Sequence, residues 1–96
     1  MYARTSTWTG SPEALQKWAD HVTGQVAPMV RGLPGVAGAA FFLDREGGGA
    51  MTLTLWDSEE AALASDQHAD ASRAATVAAT GVELGVRGRF EVVTRF

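Results

Sequence analysis

The chain has 96 residues, of which 46% are hydrophobic and 20% charged. This length suits one domain over residues 1–96, and the composition is that of an ordinary globular protein. The formal net charge of −3 argues against a nucleic-acid partner, because proteins that bind phosphate backbones present basic surfaces. Cysteine is absent, which excludes disulfides, thiol nucleophiles and cysteine-ligated metals.

No stretch of the sequence is apolar over the length of a membrane span. The longest one, Val36 to Leu43, has 8 residues and includes Gly38. The segment from Met1 to Ser6 lacks the apolar core of a signal peptide. We therefore expect a cytoplasmic protein without a membrane partner.

The first part of the chain predicts a strand and an amphipathic helix. The strand, Tyr2 to Thr9, is rich in Thr and aromatic residues, and its alternation places on one face Tyr2, Arg4, Ser6 and Trp8. Ser11-Pro12-Glu13 is typical of a helix start. Apolar residues then recur at helical spacing from Leu15 to Val30. Pro28 lies inside this pattern and predicts a kink near the end of the helix.

The middle of the chain predicts a hairpin. Val36 to Asp44 is the first strand, Arg45 to Gly49 the loop, and Ala50 to Trp56 the second strand. The second strand alternates clearly, so one face carries Met51, Leu53 and Leu55 and the other carries Thr52, Thr54 and Trp56.

The remaining residues predict a helical region and a last strand. Asp57 is the expected N-cap, with Glu60 reaching back as in a capping box, and Ser65-Asp66 offers a second N-cap. An Ala-rich helix follows over Asp66 to Thr80. We expect a glycine-containing connection from Gly81 to Gly88 and a strand from Arg89 to Phe96, with one face formed by Phe90, Val92, Thr94 and Phe96.

The resulting order, β-α-β-β-α-β, is that of the α+β ferredoxin-like fold with a four-stranded antiparallel sheet. In that fold both helices cover one face of the sheet. The predicted strands carry apolar residues on both faces, and a second apolar face needs a cover. We therefore expect a homodimer whose sheets pack face to face.

The candidate site consists of aromatic residues and one arginine. Trp8 ends the first strand, Trp56 ends the third, and Arg73 lies on the Ala-rich helix, whose small side chains leave room for a cleft against the sheet. For each part of this site an alternative stays open. For the tryptophans it is that they are packing residues. For Arg73 it is that it is a surface residue that bridges to Asp66 or Asp70.

The two histidines do not predict a metal site, because neither has ligand spacing on a helix face. His21 lies off the apolar stripe, so we expect it to be a solvated surface residue. His68, near the start of the Ala-rich helix, is either a polar flank or a residue with a chemical role. The glycine motifs lack the strand-turn-helix context of nucleotide-binding loops.

Three segments resemble the antibiotic biosynthesis monooxygenase family, whose members form dimeric α+β barrels. The segment Leu53-Thr54-Leu55-Trp56-Asp57-Ser58-Glu59-Glu60-Ala61-Ala62-Leu63 is similar to the family's strand-Trp-x-Ser-x-Glu-Ala signature. Gly32-Leu33-Pro34-Gly35-Val36 is similar to its Pro-Gly turn, and Arg89-Phe90-Glu91-Val92-Val93 to its final strand.

The resemblance implies a monooxygenase without a cofactor, which oxidises an electron-rich phenolic or polyketide-type aromatic substrate with O₂. The quinone-forming members have a Trp at the end of strand three and an Arg on the following helix, and Trp56 and Arg73 of this chain match these two residues. Those members have Asn and Tyr where this chain has Thr52 and Ala62. The implied roles are anion stabilisation by Arg73, proton transfer by His68, and contact with the substrate by Trp56, Trp8, Phe41, Thr52 and Ala62.

The same resemblance leaves two other functions open. Because Thr52 and Ala62 remove polar positions, the chain is alternatively a non-catalytic dimer that binds a small molecule. Some family members degrade haem, using an Asn on strand one, a Trp on the helix and a His that ligates haem. This chain has no Asn, Ser65 stands near the position of that Trp, and His68 aligns with that His only across a gap.

Overall fold

A computed structural model describes residues 1–96 and confirms the α+β ferredoxin-like architecture. The four strands form one antiparallel sheet in the order β2-β3-β1-β4. None of the helices combines the length and apolar character that crossing a lipid bilayer requires. The elements in chain order are β1 (Tyr2–Thr9), α1 (Pro12–His21), a π-helical turn (Val22–Val26), α2 (Ala27–Arg31), β2 (Val36–Asp44), β3 (Gly49–Trp56), α3 (Glu59–Ala64), α4 (Asp66–Thr80) and β4 (Glu83–Glu91).

The two faces of the sheet differ in chemical character. The helix-side face consists of cross-strand rows such as Ala39–Thr54–Arg4–Arg89 and Phe41–Thr52–Ser6–Arg87. The outer face consists of rows such as Gly38–Leu55–Ala3–Phe90. Because side chains alternate along each strand, Arg4, Ser6, Thr52 and Thr54 lie beneath the helices together with Trp8 and Trp56. The outer face carries Met51, Leu53 and Leu55 of β3 opposite Thr7, Thr5 and Ala3 of β1.

The hydrophobic core is concentrated at one end of the helix-side face. Trp18 and Leu15 of α1 pack on the last residues of β1, and Phe41 meets the Trp18 ring edge-on with centroids 6.5 Å apart. The buried members of this cluster are Trp8, Ala14, Leu15, Trp18, Val22, Ala50 and Val82. The other end of the face, which contains Arg4 and Ser6, lies outside this apolar cluster.

The first helical region starts as predicted but is distorted earlier than predicted. The Ser11 hydroxyl accepts a hydrogen bond from the Ala14 N–H at 3.1 Å, so Ser11 is the N-cap. The Ala27 N–H donates to the carbonyl of Val22, five residues back, in a π-helical turn. Proline clashes with the carbonyl four residues before it. For Pro28 that residue is Gly24, inside the π turn, so the distortion precedes the proline.

Of the two caps predicted after β3, the first lies at another residue, and the second lies at the predicted residue but lacks its side-chain hydrogen bond. The residue that caps α3 is Ser58, whose hydroxyl accepts from the Ala61 N–H at 3.1 Å, and not Asp57. The predicted break at Ser65 is present, because α3 ends there and α4 begins. However, the Ser65 hydroxyl makes no cap hydrogen bond to α4. It donates to the carbonyl of Ala62 at 2.7 Å instead.

The last strand lies earlier in the chain than predicted. Residues 83–91 form β4, so most of the expected connection from Gly81 to Gly88 is strand, and only the first part of the expected strand 89–96 belongs to it. The glycines fit β4 closely against β1. A Cβ at Gly85 would lie 2.6 Å from Thr7 Oγ1, and one at Gly88 would lie 2.8 Å from Thr5 Oγ1. Here glycine marks close strand packing and not a loop.

One buried side chain connects the sheet to the junction between α3 and α4. The Arg4 guanidinium donates to the Ser65 hydroxyl at 2.6 Å, to the Ala62 carbonyl and to the Asp66 carboxylate. Its side chain is 10% exposed. Burial lowers the pKa of Arg4, and Asp66 opposes that shift. Guanidinium groups stay protonated in proteins, so this contact is a charge-assisted network at neutral pH.

We expect Asp66→Asn to reduce the free energy of unfolding by about 2 kcal/mol, because it leaves the buried Arg4 charge without its carboxylate. Asp70→Asn is the matched control, since Asp70 is 66% exposed and pairs at the surface with Arg73. Its cost should stay below about 0.5 kcal/mol. Urea unfolding of both variants measures the difference. Equal losses in the two variants would show that the Arg4 network does not stabilise the fold.

Candidate functional site

A cavity lies between the sheet and the helices, beside the apolar core. It encloses ≈ 560 Å³ of empty space including its open mouth. The sheet contributes mostly polar and aromatic side chains to its wall, and the helices contribute mostly apolar and small ones. The lining residues are Arg4, Ser6, Trp8, Val22, Val26, Met29, Val30, Leu33, Phe41, Thr52, Thr54, Trp56, Ser65, Ala69, Ser72, Arg73 and Thr76.

Trp56 forms one aromatic wall of this cavity and is held on two sides. Its indole Nε1 donates to Thr54 Oγ1 at 2.9 Å. The Arg4 guanidinium lies over its ring, 5.7 Å from the centroid, in a cation–π contact. The indole is almost completely buried. It therefore presents a fixed ring to a ligand, and its own hydrogen-bond donor is already used.

Trp8 forms a second aromatic wall and differs in one respect. Its indole Nε1 is buried and has no hydrogen-bond partner. A buried donor without an acceptor costs roughly 1–3 kcal/mol. Because Trp8 lines the cavity, a ligand oxygen that reaches this nitrogen would supply the missing acceptor. Trp18 also has an unpartnered buried Nε1, but it is not among the residues that line the cavity.

Arg73 reaches the cavity from α4. Its side chain is 14% exposed, and its guanidinium pairs with the Asp70 carboxylate one turn earlier. The predicted alternative of a bridge to Asp70 is therefore present, and Arg73 lines the cavity at the same time. The residues of α4 that line the cavity around it are small, namely Ala69, Ser72 and Thr76. This arrangement gives the arginine room to meet a ligand.

Five of the seven predicted site residues share this cavity: Trp8, Phe41, Thr52, Trp56 and Arg73. The other two do not line it. Ala62 is fully buried, and its carbonyl accepts a hydrogen bond from Arg4. His68 lies exposed on α4. A proton from a ligand in the cavity would reach His68 only through solvent.

Arg4 is the cavity residue that our sequence predictions missed. The signal was present, because the alternation of β1 places Arg4 on the same face as Trp8. An arginine in the middle of a strand, on a face that also carries a tryptophan, indicates a buried charge that needs partners. No three side chains of His, Cys, Asp or Glu come together in a group that could hold a metal ion.

The chain is similar to proteins of Mycobacterium tuberculosis. It is 31% identical over 65 residues to the uncharacterised protein MT2634 of strain CDC 1551 / Oshkosh, and equally to Rv2557 of strain ATCC 25618 / H37Rv. The matched part is 68% of this chain and 29% of each relative. The chain thus spans less than a third of the length of these relatives.

Several solved structures share the fold. A candidate antibiotic biosynthesis monooxygenase from Deinococcus radiodurans has a TM-score of 0.79 at 16% identity, covering 100% of this chain and 96% of that one. A monooxygenase from the gene ActVA-Orf6 of Streptomyces coelicolor, in complex with nanaomycin D, has a TM-score of 0.73 at 21% identity, covering 99% and 88%. SnoaB, a cofactor-independent oxygenase from Streptomyces nogalater, has a TM-score of 0.68 at 14% identity, covering 98% and 94%.

The family assignment rests on the sequence match. The family model for antibiotic biosynthesis monooxygenases matches residues 1–77, from β1 into the last part of α4. This range contains the two tryptophans of the cavity, Arg4 and Arg73. Because the match covers well over half of the chain, the chain belongs to the antibiotic biosynthesis monooxygenase family.

Proposed function

We propose that this chain is a cofactor-independent monooxygenase that oxidises an electron-rich phenolic or polyketide-type aromatic ring with O₂. The observation that supports it is the meeting of Trp8, Trp56 and Arg73 in one cavity. Two indole rings favour a flat aromatic ligand, and a guanidinium favours its anion. Family membership adds the reaction class.

The proposed reaction needs few protein groups besides these two indole rings and one guanidinium. Triplet O₂ reacts slowly with closed-shell molecules, but an electron-rich phenolate or enolate can transfer one electron to it. For an anthrone, the reacting CH₂ becomes a carbonyl. One oxygen atom of O₂ enters the product, and the other leaves as water with the two hydrogens of that carbon. Arg73 would stabilise the substrate anion and the peroxide that follows.

The cavity would also hold the reactants in position. The Trp56 ring, fixed by Arg4 and Thr54, would form a stacking surface for the substrate. Confinement beside the apolar helix residues would keep the radical pair together until the new C–O bond forms. His68 remains a predicted proton acceptor, acting through water at the mouth because it lies outside the lining.

We expect the purified protein to consume O₂ with anthrone and to form anthraquinone and water. In Arg73→Gln, kcat should fall roughly 100-fold, since a preorganised charge near the developing anion is lost. Arg31→Gln is the control, because Arg31 lies on α2 outside the cavity lining. An oxygen electrode and product chromatography measure both. O₂ consumption equal in Arg73→Gln and the unaltered protein would contradict the proposed role of Arg73.

We expect Trp8→Phe to weaken binding of 2-naphthol roughly tenfold, because the free indole N–H would otherwise donate to the phenolic oxygen. Trp18→Phe is the matched control. It removes the other unpartnered indole N–H, which belongs to the core and not to the cavity lining. Isothermal titration calorimetry of the folded variants gives both affinities. A similar loss in both variants would assign the effect to general loosening of the core.

A second function, small-molecule binding without turnover, is favoured by Thr52 and Ala62. These residues stand where quinone-forming relatives have Asn and Tyr, and Ala62 does not line the cavity. The experiments above distinguish the two functions. A protein that binds 2-naphthol in calorimetry but consumes no O₂ with anthrone, above the protein-free rate, is a binding protein.

We also propose that a second copy of the chain covers the outer face of the sheet. That face exposes apolar side chains of three strands, including Phe42, Met51 and Phe90. Phe42 and Met51 are direct cross-strand partners, so they form one continuous patch. Exposed apolar area of this kind is typical of an interface between subunits.

We expect light scattering to give about twice the 10.1 kDa mass of one chain. Met51→Glu should return the mass to that of one chain, because it places a charge in the apolar interface. Glu46→Gln, in the β2–β3 turn, is the control for a surface change. A monomeric mass for the unaltered protein at micromolar concentration would contradict the dimer.

A further inference from the structure

A concave arginine patch lies next to the cavity, and its β4 arginines, Arg87 and Arg89, have no role in the proposed reaction. Its lining residues are all polar or glycine, in contrast to those of the cavity. They are Arg4, Asp66, Asp70, Arg73, Arg87, Gly88 and Arg89. Arg4 and Arg73 line both surfaces, so the patch and the cavity are continuous with each other.

The strand register brings the arginines together. Arg89 of β4 pairs directly with Arg4 of β1, and Arg87 pairs with Ser6, so both β4 arginines extend to the helix side of the sheet. Like charges directly opposite each other destabilise a sheet. Asp66 offsets part of this repulsion, because its carboxylate accepts hydrogen bonds from Arg4 and, at 3.1 Å, from Arg89.

The patch nevertheless keeps an excess of positive charge. Four guanidinium groups share two carboxylates, which gives the patch a net charge of +2, although the whole chain has a net charge of −3. Arg87 is the least satisfied of the four, since its nearest carboxylate, that of Asp70, is 3.9 Å away. Arg87 and Arg89 are also 60% and 45% exposed, so a ligand from solvent can reach them.

We propose that this arginine patch binds a carboxylate carried by the substrate, while the aromatic ring of the same molecule occupies the cavity. This inference rests on the proposed function and adds the substrate class, an aromatic compound with an acidic side arm. Guanidinium groups suit a carboxylate because their N–H donors can bind both of its oxygens in one plane. Arg73, which lines both surfaces, would lie between the ring and the acid.

The test compares two probes of nearly the same shape, the anion 2-naphthoxyacetate and its neutral amide, 2-naphthoxyacetamide. We expect calorimetry at low salt to show binding of the carboxylate roughly tenfold tighter than of the amide, and the difference to shrink in high salt. Arg87→Gln/Arg89→Gln should abolish the difference and leave the amide affinity unchanged. The double control Arg31→Gln/Arg95→Gln removes the same charge elsewhere and should keep the difference.

The outcomes separate this inference from the proposed function. Equal affinities of the two probes for the unaltered protein would overturn the carboxylate site and leave the aromatic cavity in place. If neither probe binds, both the aromatic cavity and the combined site fail. A titration with inorganic phosphate alone then measures the affinity of the arginine patch for an anion without an aromatic ring. Phosphate binding that Arg87→Gln/Arg89→Gln removes, without any carboxylate preference among the probes, would assign the patch to a free anion and overturn the inference.

Discussion

The burial of one charged side chain in the middle of the sheet governs the architecture around the cavity. Arg4 needs acceptors that the sheet cannot provide, because the strand carbonyls are used in the ladder. The α3–α4 junction provides them: the Ala62 carbonyl in the last turn of α3, the Ser65 hydroxyl and the Asp66 carboxylate. The Ala62 carbonyl also accepts from the Ser65 hydroxyl at 2.7 Å, so the residues at the break are connected to one another as well as to the arginine. The break between the helices therefore brings three acceptors to the buried guanidinium.

This requirement also explains why the more polar face of the sheet lies beneath the helices. The strands place Arg4, Ser6, Thr52 and Thr54 on that face, and they place Leu53, Leu55, Phe42 and Phe90 outside. In a monomer this distribution would expose apolar surface to water, at a cost of about 25 cal/mol per Å². A cover on the outer face allows the inner face to be polar. The proposed dimer and the proposed site are therefore two consequences of one sheet pattern.

The sequence predicts those parts of the fold that depend on local periodicity. The alternation of β3 and the Ser11-Pro12 start of α1 were sufficient, since each is decided by neighbouring residues. The β4 prediction failed because Gly85 and Gly88 resemble loop residues until their contacts with Thr7 and Thr5 are known. The predicted helix break at Ser65 is present, but the role of its hydroxyl could not be predicted, because Arg4, which donates to it, lies 61 residues away in the chain. Long-range contacts of this kind leave no local pattern.

The site likewise contains residues that the sequence predicts and residues that it does not. The contacts of its two arginines also indicate which of them is available to bind a ligand. Trp56 and Arg73 were predicted from the sequence pattern and given roles by the family resemblance, whereas Arg4 was missed although the alternation of β1 places it on the face of Trp8. Arg4 is bound by three protein acceptors in a buried setting, so a ligand would have to break strong contacts to use it. Arg73 has one partner, a carboxylate that is itself 66% exposed, so this contact is less shielded from water than those of Arg4. A guanidinium has five N–H donors, and most of those of Arg73 are still free. Arg4 is thus suited to positioning Trp56, and Arg73 is suited to binding the anion.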